Sequence, residues 1–199
     1  MKGITSFQNR NILRFGKEIE NTDNSKPWLA GLEIQDSLLH FKNKQRKVKK
    51  VPFKVLDAPA LQDDYYLNLI DWSPHDYLAV GLATSAYLWN SRNSQVTKLC
   101  DLGLRNFATA VGCSRKNPLI ALGTQSGVVQ VWDVEKLTRL RSFGGHTERV
   151  AAVAWGGSLL STGSRDKSIL HRDLRCSEPY ISRLVSHNQE VCGLKWSYD

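Results

Sequence analysis

The chain has 199 residues, enough for one globular domain or for a domain with an unfolded arm, and its 41% hydrophobic and 23% charged content is that of a globular protein. Its net charge of +8 would suit an anionic partner, but most of the excess falls in a single run, so it does not describe a binding face. There is no stretch of about 18 consecutive apolar residues, which argues against a membrane-spanning helix, and "MKGITSFQNRN" lacks the apolar core of a signal peptide.

Residues 1–50 are rich in Asn, Lys, Ser and Gln, with scattered apolar residues such as Ile12, Leu13, Phe15, Trp28 and Leu29. That composition cannot bury enough surface to offset chain entropy, so a mostly disordered arm is expected. The partly helical spacing of Leu32, Leu38, Leu39 and Phe41 allows one short helix in "GLEIQDSLLHFKNK". A basic run follows: Lys42, Lys44, Arg46, Lys47, Lys49, Lys50 and Lys54, with no acid among them. A nuclear import signal and a solvated linker fit it about equally well. Nucleic-acid binding is the weakest alternative, because no aromatic residues interleave the charges to stack on bases.

Residues 54–73, "KVLDAPALQDDYYLNLIDWS", pass from a proline-containing, acid-bearing loop into an apolar strand. From residue 65 onward, short β-type runs alternate with Gly, Asp, Asn and Ser. They give about thirteen candidate strands, from "LNLIDW" to "EVCGLKW", and no convincing helix. Trp72, Cys113, Trp155 and Trp196 are separated by 41, 42 and 41 residues, which aligns "IDWSP", "AVGCS", "VAWGG" and "LKWSY". In the same register Gly81, Gly123 and Gly163 are followed eight or nine residues later by Trp89-Asn90, Trp132-Asp133 and Arg172-Asp173.

A period of about 40–45 residues with four strands per unit is the signature of WD-repeat propeller blades. The expected fold is therefore all-β: an incomplete WD-repeat β-propeller of about three blades plus one strand, preceded by a disordered basic arm. Residues 1–50 form the arm and 51–199 the partial propeller. Blade one covers about 65–104, blade two about 105–145, blade three about 146–186, and 187–199 begin a fourth.

Blade three is the most complete copy, and His146, Thr162 and Asp166 are expected to form a hydrogen-bonded blade network, with Trp89 and Trp132 as the matching anchors of blades one and two. Ser126 replaces the turn aspartate in blade two, and Arg172 replaces the tryptophan in blade three. A His/Ser/Asp set also invites a hydrolase interpretation. The repeat itself explains the spacing, and neither a G-x-S-x-G elbow nor a phosphate-binding glycine loop is present, so no enzyme activity is expected. Cys100, Cys113, Cys176 and Cys192 lie far apart without C-x-x-C spacing, so they are expected to be reduced core residues and no metal or other cofactor is expected.

The phrases "PFKVLDAPALQDDYYLNLIDWS", "AYLWN", "SQVTKLCDL", "GHTERV", "STGSRDKSI" and "QEVCGLKWS", spanning about residues 46–199, resemble the Fizzy-related branch of the activators of the anaphase-promoting complex, the ubiquitin ligase of the cell cycle. "NILRF" at 11–15 resembles that branch too. The resemblance implies part of a seven-bladed substrate receptor that recognises D-box and KEN-box degrons and is not itself the catalyst. It implies that Asp57, with Leu56 beside it, faces the degron arginine in a groove between the first and last blades. Asp64 would meet the KEN lysine on the top face, while Asp63 is expected to be a solvated turn carboxylate. A carboxylate held rigidly by Pro59 and the following strand suits such a cation.

The implied partners are the core of the anaphase-promoting complex and degron-bearing cell-cycle proteins, without a small-molecule substrate or a membrane, in the nucleus and cytoplasm. A generic WD-repeat scaffold without degron recognition is the alternative. Two departures stand out: residues 1–50 hold no D-R-F/Y-I-P pentapeptide, and the chain ends in "WSYD" rather than Ile-Arg. Three blades and a strand cannot close a ring, so a fragment, a truncated product or self-association through open propeller edges is expected.

Overall fold

A computed structural model describes residues 47–197. The chain divides into two units, Met1–Phe53 and Lys54–Asp199. In the first unit, residues 47–53 are exposed and form no helix or strand, and Lys47, Lys49 and Lys50 are among them. Lys42, Lys44 and Arg46 lie outside the described residues, as do the short helix, "NILRF" and nearly all of the expected arm.

The second unit is built from twelve strands among the described residues: β1 (Ile70–Trp72), β2 (Tyr77–Leu82), β3 (Ser85–Asn90), β4 (Val96–Asp101), β5 (Ala108–Cys113), β6 (Leu119–Thr124), β7 (Val129–Asp133), β8 (Thr138–Phe143), β9 (Val150–Gly156), β10 (Leu159–Ser164), β11 (Ser168–Asp173) and β12 (Ser182–Val185). They pair as three four-stranded sheets in sequence order, β1 to β4, β5 to β8 and β9 to β12, and every ladder is antiparallel. This is the blade pattern of a β-propeller. Every residue of β5 is buried, because its two faces meet neighbouring sheets rather than water. Ala79, Leu88 and Leu99 of the first sheet pack on Val111, Ile120 and Leu122 of the second. Val131, Phe143 and Ala121 of the second pack with Val150, Trp155 and Leu160 of the third.

The recurring glycine lets successive blades approach. A Cβ on Gly81 would lie 2.9 Å from Ala108 Cβ, one on Gly123 2.9 Å from Val150, and one on Gly163 2.5 Å from Val191 Cγ1. Ala108, Val150 and Val191 are thus the same position in successive repeats. Polar links join the inner strands as well. Cys113 N–H donates to Asp71 Oδ2 at 2.6 Å, Thr109 Oγ1 to the Val150 carbonyl at 2.7 Å, and Trp155 Nε1 to the Gly112 carbonyl at 2.9 Å.

The thirteenth expected strand, "EVCGLKW", is not a strand. Residues 191–196 lie against blade three, with Val191 under Gly163 and Trp196 Nε1 donating to Ser161 Oγ at 3.0 Å. They take the inner-strand place of a next blade, but among the described residues no second strand of that blade offers them a ladder.

In blade three, His146 Nδ1 lies 2.9 Å from Asp166 Oδ2, and its Nε2 lies 2.9 Å from Thr162 Oγ1. Arg172, fully buried where a tryptophan was expected, points Nε at the same hydroxyl at 3.3 Å and donates through Nη1 to the Gly144 and Pro179 carbonyls. It thereby takes over the hydrogen-bond role of an indole N–H. Burial drives its guanidinium down to about 10, with Asp166 opposing the shift. Burial likewise pushes the His146 imidazole below its usual value, partly offset by Asp166.

Trp89 and Trp132 stand outside any such network. The Trp132 indole donates to Gln130 Oε1 at 3.1 Å, and the Trp89 indole N–H has no partner among the described residues. The cause is chemical: Val80 and Leu122 occupy the positions that match Thr162, so neither blade offers a hydroxyl there. The cysteines are free, and only Cys100 and Cys113 are buried. Cys192 is exposed and Cys176 half-buried, which corrects the expectation of four core thiols.

Candidate functional site

The segment between Lys54 and β1 carries both candidate carboxylates, and a turn divides them. Leu61 N–H donates to the Ala58 carbonyl at 3.4 Å, Pro59 occupies the second position, and Ala60 takes a φ of 61°. Pro followed by a positive-φ residue is the type II arrangement, normally made with glycine. The turn lays Leu56, Asp57 and Pro59 along the face of blade one that points away from blade two. There they line an open cavity of about 690 Å³ with Ile70, Val80 and Trp89. Lys54 Nζ caps the Trp89 ring at 5.2 Å. Asp57 is exposed and its carboxylate has no hydrogen-bond or ion-pair partner among the described residues. A groove with apolar walls and one uncommitted carboxylate suits a peptide that carries both a cation and an apolar side chain.

Asp64 is in a different state. Its Oδ1 accepts the Tyr66 N–H at 2.9 Å, and its Oδ2 accepts Arg149 Nη1 at 2.8 Å. Arg149 turns its remaining edge to Glu190, with Nε at 2.7 Å from Oε1 and Nη2 at 3.0 Å from Oε2. Its guanidinium also lies 5.8 Å from the centre of the Tyr66 ring. The Tyr66 N–H and then Arg149 hold the Asp64 carboxyl below the usual carboxylate value, while the Glu190 fork raises Arg149 above its own. Side-chain exposure falls from 35% at Asp64 to 14% at Arg149 and 8% at Glu190, so only the aspartate faces solvent. A polar cavity of about 350 Å³ opens beside them, lined by Tyr66, Glu148, Arg149, Arg165, Lys167 and Glu190. Asp63 is exposed, and among the described residues it joins neither group.

Leu56 and Asp57 therefore share one site and Asp64 belongs to another. Arg149 and Glu190 were not among the site residues expected from the sequence. A signal existed, since each directly precedes the inner-strand valine of its repeat, Val150 and Val191, 41 residues apart. Among the described residues no group of three or more His, Cys, Asp or Glu side chains could hold a metal ion, and no helix is long and apolar enough to cross a membrane.

The chain is 50% identical over 201 residues to Protein FIZZY-RELATED 2 of Arabidopsis thaliana, a match covering 100% of this chain and 42% of that protein. The chain belongs to the Fizzy-related family. It is also 47% identical over 197 residues to the anaphase-promoting complex subunit cdh1 of Dictyostelium discoideum, covering 94% of this chain and 26% of that one. Among solved structures, a chain in the crystal structure of a mitotic checkpoint complex superposes with a TM-score of 0.73 at 38% identity, covering 78% of this chain and 49% of that one. No family model matches the sequence. The Fizzy-related chain thus spans less than half the length of these curated relatives.

Proposed function

We propose that this chain is the degron-reading part of an activator of the anaphase-promoting complex: a binding subunit, not a catalyst, that takes D-box peptides at Asp57 and KEN-box peptides at Asp64. The observation that carries this is the exposed, uncommitted Asp57 carboxylate beside the apolar groove of blade one. The name of the cdh1 relative supports the assembly partner. The other partners would be degron-bearing cell-cycle proteins, met in the nucleus and the cytoplasm. Self-association would run through apolar residues such as Ile70, Trp72 and Val96, all more than half exposed, and would compete with the peptide for the groove that Ile70 and Val96 line.

The test is peptide titration by fluorescence anisotropy. Each carboxylate is expected to contribute a charge-assisted bond, so Asp57→Ala weakens a D-box peptide about tenfold or more and spares a KEN-box peptide. Asp64→Ala does the reverse. A folded sample that binds neither peptide would leave the protein a WD-repeat scaffold without degron recognition.

A further inference from the structure

The two carboxylates differ in what already holds them, and that difference bears on which cation each accepts. A carboxylate receives a guanidinium best as a fork, with two parallel N–H bonds landing on both oxygens at once. Asp57 offers both oxygens, since neither has a partner among the described residues. At Asp64 one oxygen accepts the Tyr66 N–H at 2.9 Å and the other accepts Arg149 Nη1 at 2.8 Å. A second fork would ask both oxygens for a further bond simultaneously. An ammonium is a compact point charge with three rotatable donors and can use whichever lone pair remains open.

Arg149 cannot easily move aside for an incoming guanidinium. Glu190 grips it through Nε and Nη2 at 2.7 and 3.0 Å, in a pair whose side chains are 14% and 8% exposed. One arginine between two carboxylates leaves the trio with a net charge of −1, and Glu148, Arg165 and Lys167 in the same cavity bring the sum to neutral, so the choice of cation rests on hydrogen-bond geometry rather than on net attraction. We propose that Arg149, together with the Tyr66 backbone N–H, makes Asp64 a site for a lysine ammonium and against an arginine guanidinium, so that Asp57 and Asp64 read different basic residues. The proposal rests on the degron-binding function proposed above, and it makes Arg149 a specificity-setting residue that need not touch the degron itself.

The experiment titrates the full chain with a KEN-box peptide and with its twin carrying arginine in place of the lysine. The wild type is expected to prefer the lysine peptide by about tenfold, in line with a fork denied. Arg149→Gln frees one Asp64 oxygen and brings the preference within about twofold, chiefly by strengthening the arginine twin. Glu190→Gln loosens the grip on Arg149 and lowers the preference by a smaller factor, about threefold, which keeps the test decisive if Arg149→Gln fails to fold. Unchanged D-box binding at Asp57 reports that each variant is folded. If Asp64→Ala abolishes lysine-peptide binding while neither variant moves the lysine-to-arginine ratio, the proposal for Arg149 is overturned and the degron site stands. If Asp64→Ala leaves lysine-peptide binding intact, both fall.

Discussion

Replacing Asp166 by asparagine keeps the shape of the blade-three turn and removes its charge. Asp166 accepts the Ser168 hydroxyl at 2.6 Å, the Ser168 N–H at 2.9 Å and the Thr147 N–H at 3.1 Å, and it faces His146 Nδ1 at 2.9 Å. Burial alone would push its carboxyl up, but these bonds together hold it at about 2, against the usual 3.8. At about 1.4 kcal/mol per pKa unit the shift represents about 2.4 kcal/mol, and solvent screening at the turn brings that to about 1.5 kcal/mol. In a domain of this size such a loss lowers Tm by about 3–6 °C.

The pH dependence carries the sharper signature. Because the folded value lies below the unfolded one, the contribution is fully present above pH 3.8 and is lost as pH falls through about 2. By pH 3 about half of it has gone. Urea midpoints followed by tryptophan fluorescence should therefore separate wild type from Asp166→Asn at pH 7, and the gap should narrow at pH 3. A gap of the same size at both pH values would show that the charge does not tie the blade together.

Two further outcomes follow from packing. Leu160 is fully buried between the second and third sheets beside Val131 and Trp155, so Leu160→Ala is expected to cost about 2–4 kcal/mol in urea denaturation, and a loss under about 1 kcal/mol would contradict its place in that core. The 199-residue chain on its own is expected to self-associate through Ile70, Trp72 and Val96, visible as a sedimentation coefficient that rises with concentration, whereas a single monomeric boundary at all concentrations would count against it.

The repeat register was legible because propeller geometry writes itself into spacing. Trp72, Cys113, Trp155 and Trp196 mark the inner edge of each successive unit, and Gly81, Gly123 and Gly163 recur because a side chain there would collide with the next blade. The limits of the register were less legible. The motif implied tryptophan anchors, yet Trp89 and Trp132 have no hydroxyl to donate to, and the buried arginine at 172 supplies that donor in blade three instead. The fourth-blade segment matched in spacing, but a strand needs a neighbour, and spacing could not show that the described residues offer none. The state of Asp64 was invisible for another reason: Arg149 and Glu190 are 85 and 126 residues away in sequence, and only the stacking of the blades brings them together.

That stacking explains how one connector can hold two acids with different roles. Asp57 and Asp64 are seven residues apart, and their local sequences give no reason for one to be free and the other committed. The turn from Ala58 to Leu61 separates them, leaving Asp57 against the outward face of blade one, where the walls are mostly apolar, no Lys or Arg among the described residues lines the groove, and Lys54 lies over Trp89. Asp64 instead reaches the rim where blade three and the segment after it present Arg149 and Glu190. A carboxylate on a carbon wall waits for a complete cationic fork, and one already shared with an arginine can admit only a further point charge. The difference between the sites thus comes from the blades around them, and a substitution at Arg149, 85 residues from Asp64, should change what Asp64 binds while leaving Asp57 unaltered.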